Sequence, residues 1–129
     1  MKHLKKTAIS FAMAAAMALA SSPIFAEAKG EAAVTSAAEG TIAKIEEAVS
    51  LVEKGADKKD IVKTINDARQ LQKEFRYEIT ERQRQKANDK LRIARDSFEN
   101  GELQPAEAKL REALAGYKEM KEIYDKNHK

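Results

Sequence analysis

Few residues in this chain are equipped for chemistry. Glu46, Glu47, Glu53, Asp57 and Asp60 fall in one short stretch. Carboxylate oxygens at such density suit a hard divalent cation. Acids close to a helix start also suit the positive end of its dipole with no ion present. His128, three residues after Asp125, is the second metal candidate and the only histidine beyond residue 26. There is no cysteine, so neither thiolate chemistry nor a zinc site of several Cys and His ligands can be assembled. A Ser–His or Cys–His nucleophile cannot be built around one terminal histidine. Nothing marks a pair of carboxylates for acid–base work. The chain therefore reads as non-enzymatic, with no catalytic residue, no cofactor, and at most weak cation binding at surface carboxylates.

Haem and di-iron are disfavoured on ligand grounds. Met120 is the only methionine beyond residue 26 and lies eight positions before His128. On one helix the two cannot flank a haem from opposite sides. Di-iron bundles use inward Glu-x-x-His pairs, and none occurs.

The other uneven feature is electrostatic. Lys73 to Arg95, KEFRYEITERQRQKANDKLRIAR, holds eight basic and four acidic residues. Arg82, Arg84, Lys86, Arg92 and Arg95 are the partner-binding candidates, a patch for an acidic protein, glycan or lipid head group.

The elements that must position these residues begin after a leader. MKHLKK is basic, TAISFAMAAAMALA is uncharged and apolar, and SSPIFA ends in a small residue, Ala26. This is the order of a secretory signal peptide, with cleavage expected after Ala26. The apolar run is about 14 residues, short of the roughly 20 that span a bilayer. Residues 1–26 carry three lysines and no acid, so the remainder holds 21 basic and 21 acidic residues. The basic isoelectric point belongs to the leader, and nucleic acid is not an expected partner. The expected location is the periplasm, as a soluble product without a membrane span.

Residues 27–35 lack an apolar stripe and read as a flexible arm. Four amphipathic stripes follow, giving helices expected over 36–54, 58–78, 80–99 and 104–125. Ala38, Ile42, Ile45, Val49 and Val52 form the first, after Ser36-x-x-Glu39 as a capping box, with Thr41 as a second candidate start. Ile61, Ile65, Ala68, Gln72, Phe75 and Ile79 form the second, capped by Asp57. The third is Ala87, Leu91, Ala94 and Phe98. The fourth is Leu103, Ala106, Leu110, Ala113, Tyr117, Met120 and Tyr124.

No Gly or Pro occurs between Asp57 and Glu99, so propensity alone permits one helix roughly 63 Å long at 1.5 Å per residue. The stripes disagree: continuing the phase of Phe75 and Ile79 reaches Arg82, Lys86 and Asp89, all charged. A tight turn near Tyr77–Glu81 is expected, with Thr80-x-x-Gln83 capping the third helix. A continuous helix would instead imply a swapped dimer.

Residues 48–55 and 94–101 align without gaps, Ala48, Glu53 and Gly55 matching Ala94, Glu99 and Gly101. Two helical hairpins, too few for a solenoid, close on each other. The fold class is all-α: an up-down-up-down four-helix bundle built from two repeated helical hairpins, with a monomer favoured.

Two resemblances add to this reading. IEEAVSLVEKG, INDARQLQKEF and KLRIARDSFENGELQPAEAKLREALAGYKEM, spanning about residues 42–124, resemble the small metal-binding protein (SmbP) family of periplasmic four-helix bundles. The histidines that bind metal there are replaced here, so the resemblance implies the fold without a ligand set. Ile79-Thr80-Glu81-Arg82-Gln83 is similar to the Leu-Thr-x-x-Gln signature of the CpxP/Spy periplasmic stress proteins. The expected function is thus an exported, SmbP-like binding bundle acting on an unidentified envelope partner. The alternative is a periplasmic chaperone or stress adaptor using residues 73–95.

Overall fold

The computed structural model describes residues 29–128. The expected leader and the first two residues of the expected arm lie outside them. Four helices follow in order: α1 Val34–Glu53, α2 Lys58–Leu71, α3 Glu81–Glu99 and α4 Leu103–Asn127. They belong to one compact unit, Ala33–Lys129. Helix α1 packs on α2 and α4, and α3 packs on α2 and α4. This is the ring of an up-down-up-down four-helix bundle.

The core is made where the four stripes meet. Ile45, Ile65, Leu91, Phe98, Leu110 and Met120 are fully buried. Ala38, Ala48, Ala68, Ala94, Ala106 and Ala113 are buried between them. Small residues let neighbouring helices approach, while the large ones fill the space their absence of bulk leaves. Gly116 of α4 extends the same device outward, since a Cβ there would sit 3.6 Å from the Cβ of Ala87 on α3.

The repeat has a structural counterpart at both hairpin turns. Gly55 N–H donates to Val52 O at 3.0 Å, and Ala56 N–H to Leu51 O at 2.9 Å. Gly101 N–H donates to Phe98 O at 3.1 Å, and Glu102 N–H to Ser97 O at 2.8 Å. Each pair is a Schellman motif, which needs a left-handed residue just past the helix. Gly55 and Gly101 supply it, with φ of 71° and 81°.

Several expected boundaries shift. Residues 29–33 form a π-helical turn and α1 begins at Val34, so Ser36 and Glu39 lie inside the helix and cannot cap its start. Asp57 occupies the cap position of α2 without a side-chain hydrogen bond. It accepts Asp60 N–H and Ile61 N–H through its backbone oxygen instead. Leu103, expected on the fourth stripe, is 58% exposed, and α4 is seated from Ala106 onward.

The largest difference lies between α2 and α3. Helix α2 ends at Leu71, seven residues early, and a 3₁₀ turn, Gln72–Glu74, follows. Phe75 to Tyr77 leave helical geometry, with Tyr77 extended at φ −154°, ψ 118°. A second 3₁₀ turn, Glu78–Thr80, leads into α3. The two helices are separate, as the change of phase predicts. Phe75 is buried in the core from this connection, whereas Ile79 is 65% exposed. Thr80 stands at the start of α3 but does not cap it. Its hydroxyl donates back to Tyr77 O at 3.3 Å.

Candidate functional site

The five basic candidates separate into two groups. Arg84 is an internal residue. Its guanidinium donates to Glu81 (Nε to Oε2, 2.8 Å) and to Gln72 Oε1 at 2.8 Å. Gln72, 2% exposed, also accepts the Tyr117 hydroxyl at 3.2 Å. Its amide donates to Arg69 O at 3.0 Å. Arg76 closes the far side, donating to Glu81 Oε1 at 3.1 Å.

This set draws on α2, α3, α4 and the connection. It explains why α2 stops where it does: Gln72 and Arg84 serve the carbonyl end of the helix, where cations and donors are favourable. Burial pushes the Tyr117 phenol well above its ordinary value, outweighing the opposing charges of Arg84 and Arg69. Burial also pushes the Glu81 carboxyl up. Its hydrogen bonds and charge contacts with Arg84 and Arg76 overcome that, and the net shift is downward.

Arg92 and Arg95 are also engaged. Arg95 Nη2 lies 2.9 Å from Asp96 Oδ1, and its Nη1 donates to Asn66 Oδ1 of α2 at 3.5 Å. Arg92 lies 3.8 Å from Asp96 and 3.9 Å from Asp89. Arg69, not singled out in the sequence, lies near these charges and donates its Nε to Asn88 Oδ1 of α3 at 3.1 Å. Burial first, then the charges of Arg95 and Arg92, lowers its pKa from the ordinary value.

Arg82 and Lys86 remain. Both are exposed, and neither forms an ion pair among the described residues. They share one face of α3 with Asp89 and Ile93 at spacings of three and four, and Ile79 lies in the 3₁₀ turn just before the helix. Ile79 is 65% exposed and Ile93 37%. Arg82, Lys86 and the acidic Asp89 therefore stand between an exposed apolar side chain before the helix and one on it. Lys86 also borders a shallow groove between α3 and α4, floored by Ala87 and Gly116.

The metal candidates are not brought together. Glu46 pairs with Lys118 at 3.2 Å, Glu47 with Lys44 at 3.3 Å, and Glu53 with Arg111 at 2.8 Å. Asp57 and Asp60 are exposed at the start of α2. Asp57 borders a second surface depression with Lys58, Lys59 and Glu99. His128 is placed far from these acids in sequence and is held by aromatic contacts. Its ring stacks on Tyr124 at 3.8 Å and meets Tyr77 edge-on at 5.1 Å. Its Nδ1 lies 2.7 Å from Tyr124 O. Among the described residues no three His, Cys, Asp or Glu side chains are grouped to hold a metal. Within the same residues no helix is long and apolar enough to cross a membrane.

Two sequence signals point to the internal network: a glutamine, Gln72, at a buried stripe position, and Arg84 in phase with the buried stripe of α3. Comparisons with protein-family models, with curated proteins and with solved structures find no match.

Proposed function

We propose that this chain is an exported, non-enzymatic binding bundle that works in the periplasm through the outward stripe of α3. The observation that carries the proposal is the pair of exposed, unpaired cations, Arg82 and Lys86, between the exposed apolar side chains of Ile79 and Ile93. A surface of this kind attracts an acidic segment and adds apolar contact at either end. The resemblance of residues 79–83 to the CpxP/Spy signature supports a chaperone or stress-adaptor setting. The leader supports export.

The experiment is aggregation of an acidic client with the purified bundle present. Arg82→Glu with Lys86→Glu abolishes suppression while the thermal midpoint stays within about 2 °C, as surface changes do. Unchanged suppression would overturn the proposal. N-terminal sequencing of the exported protein begins at Glu27 if the leader is removed as read.

Weak cation binding is the second reading. It rests on the exposed, unpaired Asp57 and Asp60 and on the SmbP-like pattern. Titration calorimetry with copper, nickel, zinc and calcium tests it, and no heat at millimolar metal removes it.

A further inference from the structure

We propose that the bundle exchanges hairpins with a second copy of itself, the α2–α3 connection straightening so that Lys58–Glu99 becomes one helix. The occupant of the exposed hairpin face is then the same hairpin from the other chain.

Three observations converge on this connection. It contains neither Gly nor Pro, and none occurs from Asp57 to Glu99. Six of its nine residues already lie in 3₁₀ turns, Gln72–Glu74 and Glu78–Thr80. Phe75, Arg76 and Tyr77 leave helical geometry, and Thr80 at φ −106°, ψ 11° lies outside the α-helical region, so the main change of conformation falls on these four residues. The other two connections are different in kind, each fixed by a glycine at positive φ.

The contacts between hairpins are kept in an exchanged pair. Glu53–Arg111 and Glu46–Lys118 link α1 to α4. Arg69–Asn88 and Arg95–Asn66 link α2 to α3. Each re-forms between chains with the same partners, which is what makes domain exchange an inexpensive route to dimers. Within the straightened helix, the buried positions Ile65 and Ala68 of α2 and Leu91 and Ala94 of α3 differ in phase by roughly 80–100° at 100° per residue. The two bundles of the dimer are therefore turned by about a right angle around two shared helices, one from each chain and each roughly 63 Å long.

Position 78 separates the two states. Glu78 is the first residue of a 3₁₀ turn, and the extended Tyr77 before it has the backbone that precedes proline. Proline fits the closed turn at that place, but lies in the middle of the straightened helix, where it clashes with the preceding turn. Two prolines per dimer at about 3 kcal/mol each weaken the dimer constant about 10⁴-fold.

The test uses the protein expressed from its full sequence, read by native mass spectrometry after refolding at high concentration. One chain carries Glu46→Lys and Glu53→Arg, and the other Arg111→Glu and Lys118→Glu. Each closed monomer and each homodimer then has like charges at both α1–α4 contacts. Only an exchanged heterodimer restores opposite charges at both. Mixing is expected to give heterodimers, and Glu78→Pro in both chains to abolish them. A two-glycine insertion after Arg76 in both chains is expected to do the same, and serves if the proline variant does not fold. Absence of heterodimers at about millimolar chain, the local concentration that a short connection itself supplies, would overturn the proposal. So would heterodimers that survive both hinge variants, since these would be surface complexes of oppositely charged chains.

Discussion

Thr41→Val should stabilise this bundle, although it removes a hydroxyl group and alters nothing on the surface. Thr41 lies on α1, is fully buried, and its Oγ1 has no hydrogen-bond partner among the described residues. A buried threonine in a helix usually donates to a carbonyl one turn back. Thr64 of α2 does so, bonding Asp60 O at 2.9 Å. Thr41 carries the desolvation cost of a polar group without that return, about 1–3 kcal/mol from protein substitution data. Valine keeps the branched shape and replaces the hydroxyl with a methyl, which adds up to about 0.8 kcal/mol of apolar burial. Small losses from local repacking reduce the sum, and a net gain of about 1–2 kcal/mol is expected. For a domain of this size that raises the melting midpoint by about 4–8 °C per kcal/mol. Urea unfolding followed by circular dichroism measures it, with Thr64→Val as the comparison and the m-value unchanged. Thr64→Val loses a made bond and should be neutral or destabilising by up to about 1 kcal/mol. If Thr41→Val lowers stability, or behaves like Thr64→Val, the hydroxyl is partnered in solution and the reasoning fails.

Gly55→Ala and Gly101→Ala should each cost about 1 kcal/mol, because both positions need positive φ. No atom would meet the new Cβ within 4 Å, so the loss is one of backbone strain, additive in the double variant by urea melts. Stability should fall as pH rises above 10. The Tyr117 phenol is raised in the folded state, so its contribution is complete below the unfolded pKa and is lost as the unfolded phenol ionises. Tyr117→Phe flattens that alkaline slope, read by melts between pH 9 and 11. At the acid end the Glu81 carboxyl is held below its ordinary 4.5. Its contribution is present above that value and is lost as pH falls through the folded pKa. Glu81→Gln should lower stability at pH 7 and reduce the loss seen between pH 5 and 3.

The helical seams were legible because they repeat at the spacing of a helix and nothing else competes with that signal. Ala38, Ile45, Ile65, Leu91, Phe98, Leu110 and Tyr117 are all buried where the stripes placed them. The glycine turns were legible too, since Gly follows each hairpin's first helix at the same repeat position. The α2–α3 connection was only half legible. The change of phase announced a break, but the local residues, with no Gly or Pro, could not say where. The break is set by tertiary partners, Arg84 and Tyr117, that reach Gln72 from other helices. The two capping boxes that read well in sequence are unused for a related reason: at the start of α1 the helix begins earlier, and at Thr80 the hydroxyl turns back to Tyr77.

The basic segment shows what a count of charges misses and helical phase retains. Extending the buried stripe of α3 backwards from Phe98 through Ala94, Leu91 and Ala87 reaches Arg84 and then Thr80. Arg84 therefore faces inward, although it sits among cations that face out. It meets Gln72, which continues the stripe of α2, and Gln72 in turn meets Tyr117 on the stripe of α4. Among the polar residues on the buried seams, Gln72, Arg84 and Tyr117 satisfy one another, and the Thr64 and Thr80 hydroxyls bond backbone oxygens. Thr41 on α1 stands without a partner among the described residues. Such a network ties α2, α3 and α4 to one register, because a slip by a turn would leave a guanidinium, an amide and a phenol buried and unpaired. The cations at Arg82 and Lys86 are on the other phase and take no part in it. Exchange of Arg84 should therefore damage folding, and exchange of Arg82 should not, although the two are separated by a single residue.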